Sequence, residues 1–274
     1  MEHDEILLKD VIEISLFAGK KIIDIYRKDF SIEYKNDKSP LTEADILSNE
    51  LITSGLTNLD SQYPILSEEN RIIDYSERKN WKRFWLVDPI DGTKEFIKKN
   101  GEFTINIALI DQGEPVMGVV YAPALETLYY GMKGFGSYRK TNGKTEKLPL
   151  AQNNPSESKV IRIAASRSHM NKDTSDFIDK VSAIYPDCII ENTYKGSSLK
   201  LCMVAEGSAD IYPRAAPTME WDTAAAHGIV EASGRGVFRF DTFNMNDIRF
   251  NSEIHAEKLT YNKTNLLNPN FIVI

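Results

Sequence analysis

Between residues 4 and 28, Leu7, Val11, Ile14, Ala18, Ile22 and Ile25 recur three and four apart. That spacing predicts one apolar face of an α-helix. SIEYKNDKSPL (31–41) is polar and turn-rich, and predicts a loop with some extended character. Thr42 can cap a second helix, with Ala44, Leu47 and Leu51 turned inward. YPILS then predicts a short strand that runs into Glu68 and Glu69, and Trp85 to Val87 another that ends at Asp88. From Phe103 to Ile110 the period changes to two, placing Phe103, Ile105, Ile107 and Leu109 on one face. Gln112-Gly113 marks a turn, VMGVVYA and ETLYYGM read as returning strands, and Asn142-Gly143 marks a further hairpin. The first half therefore predicts two helices against a largely antiparallel sheet.

KLPLAQNNPSES (147–158) breaks this pattern with Pro, Asn and Ser, and is the candidate boundary between two subdomains, 1–150 and 151–274. Beyond it strands and helices alternate: VIRIAAS, a helix over 171–184, CIIEN, a helix over 197–206, ADIYP, a helix over 220–232, and GVFRF. Such alternation predicts a second α/β layer on a partly parallel sheet, so the fold class is a layered α/β one. There is no internal repeat and no low-complexity tract.

Composition narrows the function classes. The 274 residues are 42% hydrophobic and 27% charged, the range of a soluble globular chain with a substantial core. A net charge of −7, from 33 basic and 40 acidic residues, argues against a surface that coats nucleic acid. MEHDEILLKD carries acids where a signal peptide would carry lysines, and no stretch approaches the roughly 20 apolar residues of a membrane span. Polybasic membrane signals are absent, so any membrane attachment is expected to be weak and peripheral. Cys188 and Cys202 lack zinc-ligand spacing and read as buried thiols of a reducing compartment, which places the chain in the cytoplasm.

The candidate chemistry lies in acids at strand ends and helix starts: Asp45 in SPLTEAD, Glu68 in LSEE, Asp88 and Asp91 in DPIDGT, and Asp222 in EWDTAAAH. Each has a plain structural explanation. Asp45, three residues after Thr42, could complete a capping box; Asp222 could favour the positive end of the Ala-rich helix; Asp91-Gly92 could be a turn. The run Asp88-Pro89-Ile90-Asp91-Gly92-Thr93 is harder to explain in this way. Pro89 fixes its own φ and Gly92 permits a tight turn, which can aim two carboxylates and the Ile90 carbonyl at one point. Two carboxylates about 4 Å apart repel by roughly 4 kcal/mol at an effective dielectric near 20. A bound cation or a shared proton relieves that repulsion, and an all-oxygen ligand set with phosphate chemistry favours Mg²⁺ over Ca²⁺.

WLVDPIDGTKEF, with LSEE before it and EWDTAAAH after it, resembles the inositol-monophosphatase superfamily of Mg²⁺-dependent, lithium-sensitive phosphatases. GEFTINIALI, GVVYAP, SRSH, GSSLK, VAEGSADIYPR and the C-terminal LLNPNFIV are similar to its CysQ-type branch, the 3'(2'),5'-bisphosphate nucleotidases, so the likeness covers essentially the whole chain. The resemblance implies an αβαβα sandwich of the sugar-phosphatase type. It implies that Glu68, Asp88, the Ile90 carbonyl, Asp91 and Asp222 hold about two to three Mg²⁺ ions. Asp45 and Thr93 would orient and deprotonate the attacking water, and Gly92 and Thr93 would offer N–H groups to the phosphate. His169 of SRSH would lie near the nucleotide.

A bisphosphate also needs a second anion site. Ser197 and Lys200 of GSSLK, with Arg214 of IYPR, could bracket the 5'-phosphate, Arg supplying a forked contact. His227 on its apolar helix reads as a structural histidine. The expected reaction is hydrolysis of the 3'-phosphate of adenosine 3',5'-bisphosphate to AMP, with its sulfated analogue as a further candidate, in sulfur assimilation as the resemblance implies. The expected partner is thus a small nucleotide, with no nucleic acid and no identifiable protein partner. Two alternatives stay open: an inositol-monophosphate or sugar-bisphosphate phosphatase, and a non-catalytic nucleotide or metal sensor. Asp45 with Thr93 argues against the sensor, and Lys200 with Arg214 against the uncharged inositol ring.

Overall fold

The structure, a computed structural model, describes residues 2–34, 40–70, 73–151, 154–165, 171–245, 248 and 254–274. Its first elements are α1 (Glu2–Tyr26), β1 (Ile32–Tyr34), β2 (Pro40–Thr42), α2 (Glu43–Thr57), β3 (Ile65–Ser67), α3 (Tyr75–Arg78), β4 (Arg83–Asp91) and α4 (Thr93–Ile97). The sheet continues with β5 (Thr104–Asp111), β6 (Glu114–Ala122), β7 (Thr127–Met132), β8 (Gly136–Thr141) and β9 (Lys144–Lys147). The second half holds α5 (Pro155–Ser158), β10 (Val160–Ala165), α6 (Lys172–Ile184), β11 (Ile189–Tyr194) and α7 (Leu199–Glu206). It ends with β12 (Tyr212–Arg214), α8 (Glu220–Ala232), β13 (Val237–Arg239) and β14 (Phe271–Val273).

A seven-stranded sheet in the order β3-β4-β5-β6-β7-β8-β9 organises the molecule, with only β3 and β4 parallel. The two-residue period of β5 decides which residues face which layer. Phe103, Ile105, Ile107 and Leu109 join the core under α1 and α2, whereas Ala108 and Ile110 join the core beneath α7 and α8. Beyond those helices β10 pairs with β11 in parallel, β14 lies between β12 and β13 in an antiparallel sheet, and α6 closes a third core with Phe177 and Val181. The layers thus run helix, sheet, helix, sheet, helix, as expected for an αβαβα sandwich.

The helical stripe of α1 is buried at Leu7, Val11, Ala18 and Ile22, with Ile14 and Ile25 partly covered. In α2 the inward face is rotated from the one expected. Ala44, Asp45, Ser48, Ile52 and Leu56 are buried, while Leu47 and Leu51 are only half-buried. The reason is polar: Ser48 Oγ donates to the Pro89 carbonyl at 2.8 Å, so this helix holds the DPIDGT loop as well as the core. Cys202 is buried as expected, but Cys188 is only half-buried.

Two close approaches fix the layer that carries Asp222. A Cβ on Gly118 of β6 would fall 1.9 Å from the Ala225 carbonyl oxygen, so α8 lies on the strand with no side chain between them. Gly228 meets Met117 of the same strand one helical turn later. Among the described residues no helix is long and apolar enough to cross a membrane.

Candidate active site

The loop between β4 and α4 follows from its proline. Asp88 pairs with Asn106 and Asp91 with Thr104, so β4 carries one residue more than β5 over this stretch. Pro89 has no N–H to give the ladder, and a bulge at such a residue re-aims the side chains around it. Gly92 then takes φ 90°, in the left-handed region, and a helix starts at Thr93. The helix start was not legible in the sequence.

Asp45 divides its two oxygens between jobs, and Asp88, Asp91 and Asp222 each hold their protein donors on one oxygen. Asp45 Oδ2 accepts from the Thr42 N–H at 2.7 Å and from Thr42 Oγ1 at 2.5 Å, the reciprocal cap of α2. Its Oδ1 accepts from Thr93 Oγ1 at 3.2 Å, so the capping explanation and the proton-handling explanation are compatible. Asp222 Oδ2 accepts from the Met219 N–H at 2.8 Å at the start of α8. Asp88 Oδ1 accepts from the Ile90 N–H at 3.1 Å. Asp91 Oδ2 receives the Ser198 N–H at 2.7 Å, Ser197 Oγ at 2.5 Å and Ser198 Oγ at 3.0 Å.

These carboxylates repel one another. Burial holds Asp88 well above the usual aspartate range, and Glu68, Asp91, Asp222 and Asp45 push it further up. Burial, then Asp91, likewise raises Asp222, against which the Met219 N–H and Arg214 act. Among the described residues no three of these acids converge on one point as a finished coordination shell. Asp88 is nonetheless 1% exposed and forms no salt bridge with a Lys or Arg among the described residues. Hard oxygen donors, buried at Asp88 and Ile90, half-buried at Glu68, Asp91 and Asp222, with carboxylates that repel one another, are a chemical fit for a divalent cation that would draw the five together.

Beside the cluster, a cavity of about 160 Å³ is lined by Asp91, Gly92, Ser197, Lys200, Arg214 and Asp222. Residues from both halves of the sequence thus meet in one cleft. The Lys195–Ser198 loop is fastened to the first half, where the Gly196 N–H donates to Glu102 Oε2 at 2.9 Å. A Cβ on Gly196 would come within 2.9 Å of the Glu102 carbonyl oxygen, which explains glycine there. Lys200 is 5% exposed, and its ammonium donates to the Ser197 carbonyl at 2.7 Å and the Lys195 carbonyl at 3.2 Å, 5.6 Å from the Tyr212 ring centre. Burial pushes Lys200 down to about 8 despite the pull of Asp91. Arg214 donates to the carbonyls of Ala216 and Pro217, both at 3.2 Å.

The structure therefore places Lys200 as a lysine that braces the loop from within, not as a freely extended one. His169 lies outside the described residues. His227 is fully buried, with Nδ1 2.8 Å from the Tyr261 hydroxyl and Nε2 near Glu231, in keeping with a structural histidine. Sequence reasoning missed Tyr212, Thr218 and Phe271 on the cavity wall. Tyr212 was within reach, two residues before Arg214 in the IYPR already singled out. Phe271 comes from β14, whose pairing is entirely non-local.

Residues 5–270 match the model of the inositol monophosphatase family. The "3'(2'),5'-bisphosphate nucleotidase CysQ" of Salmonella typhimurium is 42% identical over 233 residues, 84% of this chain and 89% of that one. Its counterpart in Haemophilus influenzae is 38% identical over 99% of this chain and 93% of its own. The crystal structure of CysQ from Bacteroides thetaiotaomicron superposes with a TM-score of 0.81 at 41% identity, covering 97% of this chain and 96% of that one. An inositol monophosphatase from Thermotoga maritima shares the fold at a TM-score of 0.69 and 24% identity, covering 100% of this chain and 92% of that one. With the layered fold, the acid-lined loop and a match over nearly every residue in agreement, the chain belongs to the inositol monophosphatase family.

Proposed function

We propose that this chain is a Mg²⁺-dependent 3'(2'),5'-bisphosphate nucleotidase that removes the 3'-phosphate of adenosine 3',5'-bisphosphate to give AMP and phosphate. One observation carries the reading: the cleft that holds Asp91 and Asp222 continues without a break to Lys200 and Arg214. A monophosphate has no use for that second, basic end. Support comes also from relatives near 40% identity that bear this activity in their names.

Glu68, Asp88, the Ile90 carbonyl, Asp91 and Asp222 are the proposed ligands of about two to three Mg²⁺ ions. When bound, the cations acidify water and offset charge on the leaving ribose oxygen. Thr93 Oγ1 directs its own proton at Asp45 Oδ1, which leaves its lone pairs for the proton of the attacking water. The N–H groups of Gly92 and Thr93, at the turn into α4, are the proposed donors to the reacting phosphate. Ser197, Lys200 and Arg214 would hold the 5'-phosphate, and His169 the nucleoside. On this reading the subdomain 1–150 supplies most cation ligands, and 151–274 supplies Asp222 and the nucleotide pocket.

The test is phosphate release with Mg²⁺ from adenosine 3',5'-bisphosphate, inositol 1-phosphate and fructose 1,6-bisphosphate, each with and without EDTA. A strong, EDTA-sensitive preference for the nucleotide is expected. A preference for the inositol or sugar phosphate would keep the cation site and remove the pocket assignment. No release from any of the three would favour a sensor.

A further inference from the structure

Asp91 Oδ2 is surrounded by donors, all on the same oxygen: Ser197 Oγ, the Ser198 N–H, Ser198 Oγ and, at 3.4 Å, Asn106 Nδ2. Among the described residues none reaches Oδ1. The Ser198 hydroxyl has a second attachment, 2.7 Å from the Asp222 carbonyl oxygen on the first turn of α8. It also accepts from Asn106 Nδ2 at 2.9 Å. A hydroxyl carries one proton, so it donates to Asp91 or to Asp222 at any moment and stays in contact with the other. Ser198 is 1% exposed and Asn106 also 1%, so water does not compete for these bonds. Asn106 Oδ1 has no hydrogen-bond partner among the described residues, a sign that this amide is placed for what its nitrogen does.

From this geometry we infer that Ser198 is a positioning residue of the cation site, which restricts Asp91 to a single ligating oxygen and ties it to the helix that carries Asp222. The inference rests on the reading that Asp91 and Asp222 hold a divalent cation. A carboxylate whose Oδ2 is already hydrogen-bonded presents Oδ1 at a fixed angle, and partners behind the ligands commonly change metal affinity by about 10- to 100-fold. Ser198 joins β4, β5 and α8 at one atom, so the spacing between the two ligands depends on it. The backbone N–H of Ser198 and the hydroxyl of Ser197 remain when the Ser198 side chain is removed, which sets the expectation at the lower end of that range.

The experiment is calorimetric titration of Mg²⁺ and Mn²⁺ into the full chain, its Ser198→Ala variant and its Ser198→Thr variant, with thermal melting of each. Ser198→Ala should bind both cations about 10-fold more weakly, and Ser198→Thr should restore the affinity. Ser198→Ala should still melt in one cooperative transition, at a somewhat lower temperature because buried partners of the hydroxyl are left unpaired. With the nucleotide, the Mg²⁺ concentration for half-maximal rate should rise, while KM at saturating Mg²⁺ stays put. If the extra methyl of Thr is not accommodated, Asn106→Ala provides the check. It should weaken cation binding too, and the double variant should lose less than the product of the two single losses. Equal affinity in wild type and Ser198→Ala overturns the inference, as does an Asn106→Ala loss that simply multiplies with that of Ser198→Ala. Cation binding without nucleotide hydrolysis would sink the nucleotidase reading alone, and the calorimetry would still decide the role of Ser198. No cation binding by wild type would sink both.

Discussion

Glu220 and Asp222 stand on the same turn of α8, two residues apart, and face two different regions. Glu220 is 0% exposed and fully answered: the N–H groups of Asn262 and Lys263 donate to it at 2.7 and 3.0 Å, and Lys263 Nζ lies 2.7 Å away. Arg78 braces that corner through the Asn262 side chain and the Lys263 carbonyl. Asp222 has the Met219 N–H and otherwise faces the acids Asp91 and Glu68, with Arg214 acting against their repulsion. A buried carboxylate is costly, and the chain supplies a lysine and two amides where only the fold is served. Around Asp88 it supplies more negative charge instead. On the proposed function, that contrast separates a carboxylate kept for structure from one kept for a cation.

The largest expected effect lies on the Asp88 side. Asp91→Asn keeps an oxygen for the Ser197 and Ser198 donors and turns an amide toward the cation. Turnover should fall below detection while the melting temperature of the EDTA-treated protein holds or rises, since one charge leaves the cluster. Activity near that of wild type would remove Asp91 from the cation site. On the Glu220 side the expectation reverses. Lys263→Met should lower stability by about 1–3 kcal/mol, less than for a sealed pair because the lysine is partly exposed and two N–H donors remain. Urea unfolding measures the loss, and kcat should not change. A drop in kcat without a loss of stability would erase the distinction between the two regions.

A smaller effect is expected from pH. Asp88 and Asp222 are raised in the folded chain, so above the ordinary aspartate value of 3.8 the unfolded chain releases protons that the folded chain still holds. Without cation, stability should therefore fall as pH climbs from 3.8 toward the raised values, and saturating Mg²⁺ should restore it most at the upper end. Melting curves with EDTA and with Mg²⁺ across pH test this, and parallel curves would count against it. The smallest effect concerns Lys200, pushed down to about 8. Its charge is lost as pH rises through that value, so KM for the bisphosphate should increase above about pH 8. In Lys200→Ala that increase should vanish and KM should be high throughout, with a monophosphate little affected. An unchanged pH profile in the variant would show that Lys200 only braces its loop.

Much of this was legible in the sequence because it is local. The α1 stripe and the alternation of β5 each lie within one element, and both predict the observed layers. Asp88 and Asp91 were legible because a proline and a glycine between and after them have few other uses. The inward face of α2 was misjudged because leucines were preferred over Asp45 and Ser48, which are buried for the loop they hold. Ser198 and Asn106 gave no signal, since a serine after a glycine and an asparagine in a strand acquire their role only when β4, β5 and α8 meet. β14 pairs with strands more than thirty residues away, and no local pattern announces such a partner.

The shared duty of Asp45 and Asp222 bears on how related chains should be judged. Each caps a helix with one oxygen, so a descendant that abandoned catalysis would still be under pressure to keep both. Asp88 caps nothing, and its ionised form is a burden without a cation. In a survey of degenerate copies of this fold, Asp88 should be the first acid to decay and the most telling one to find intact.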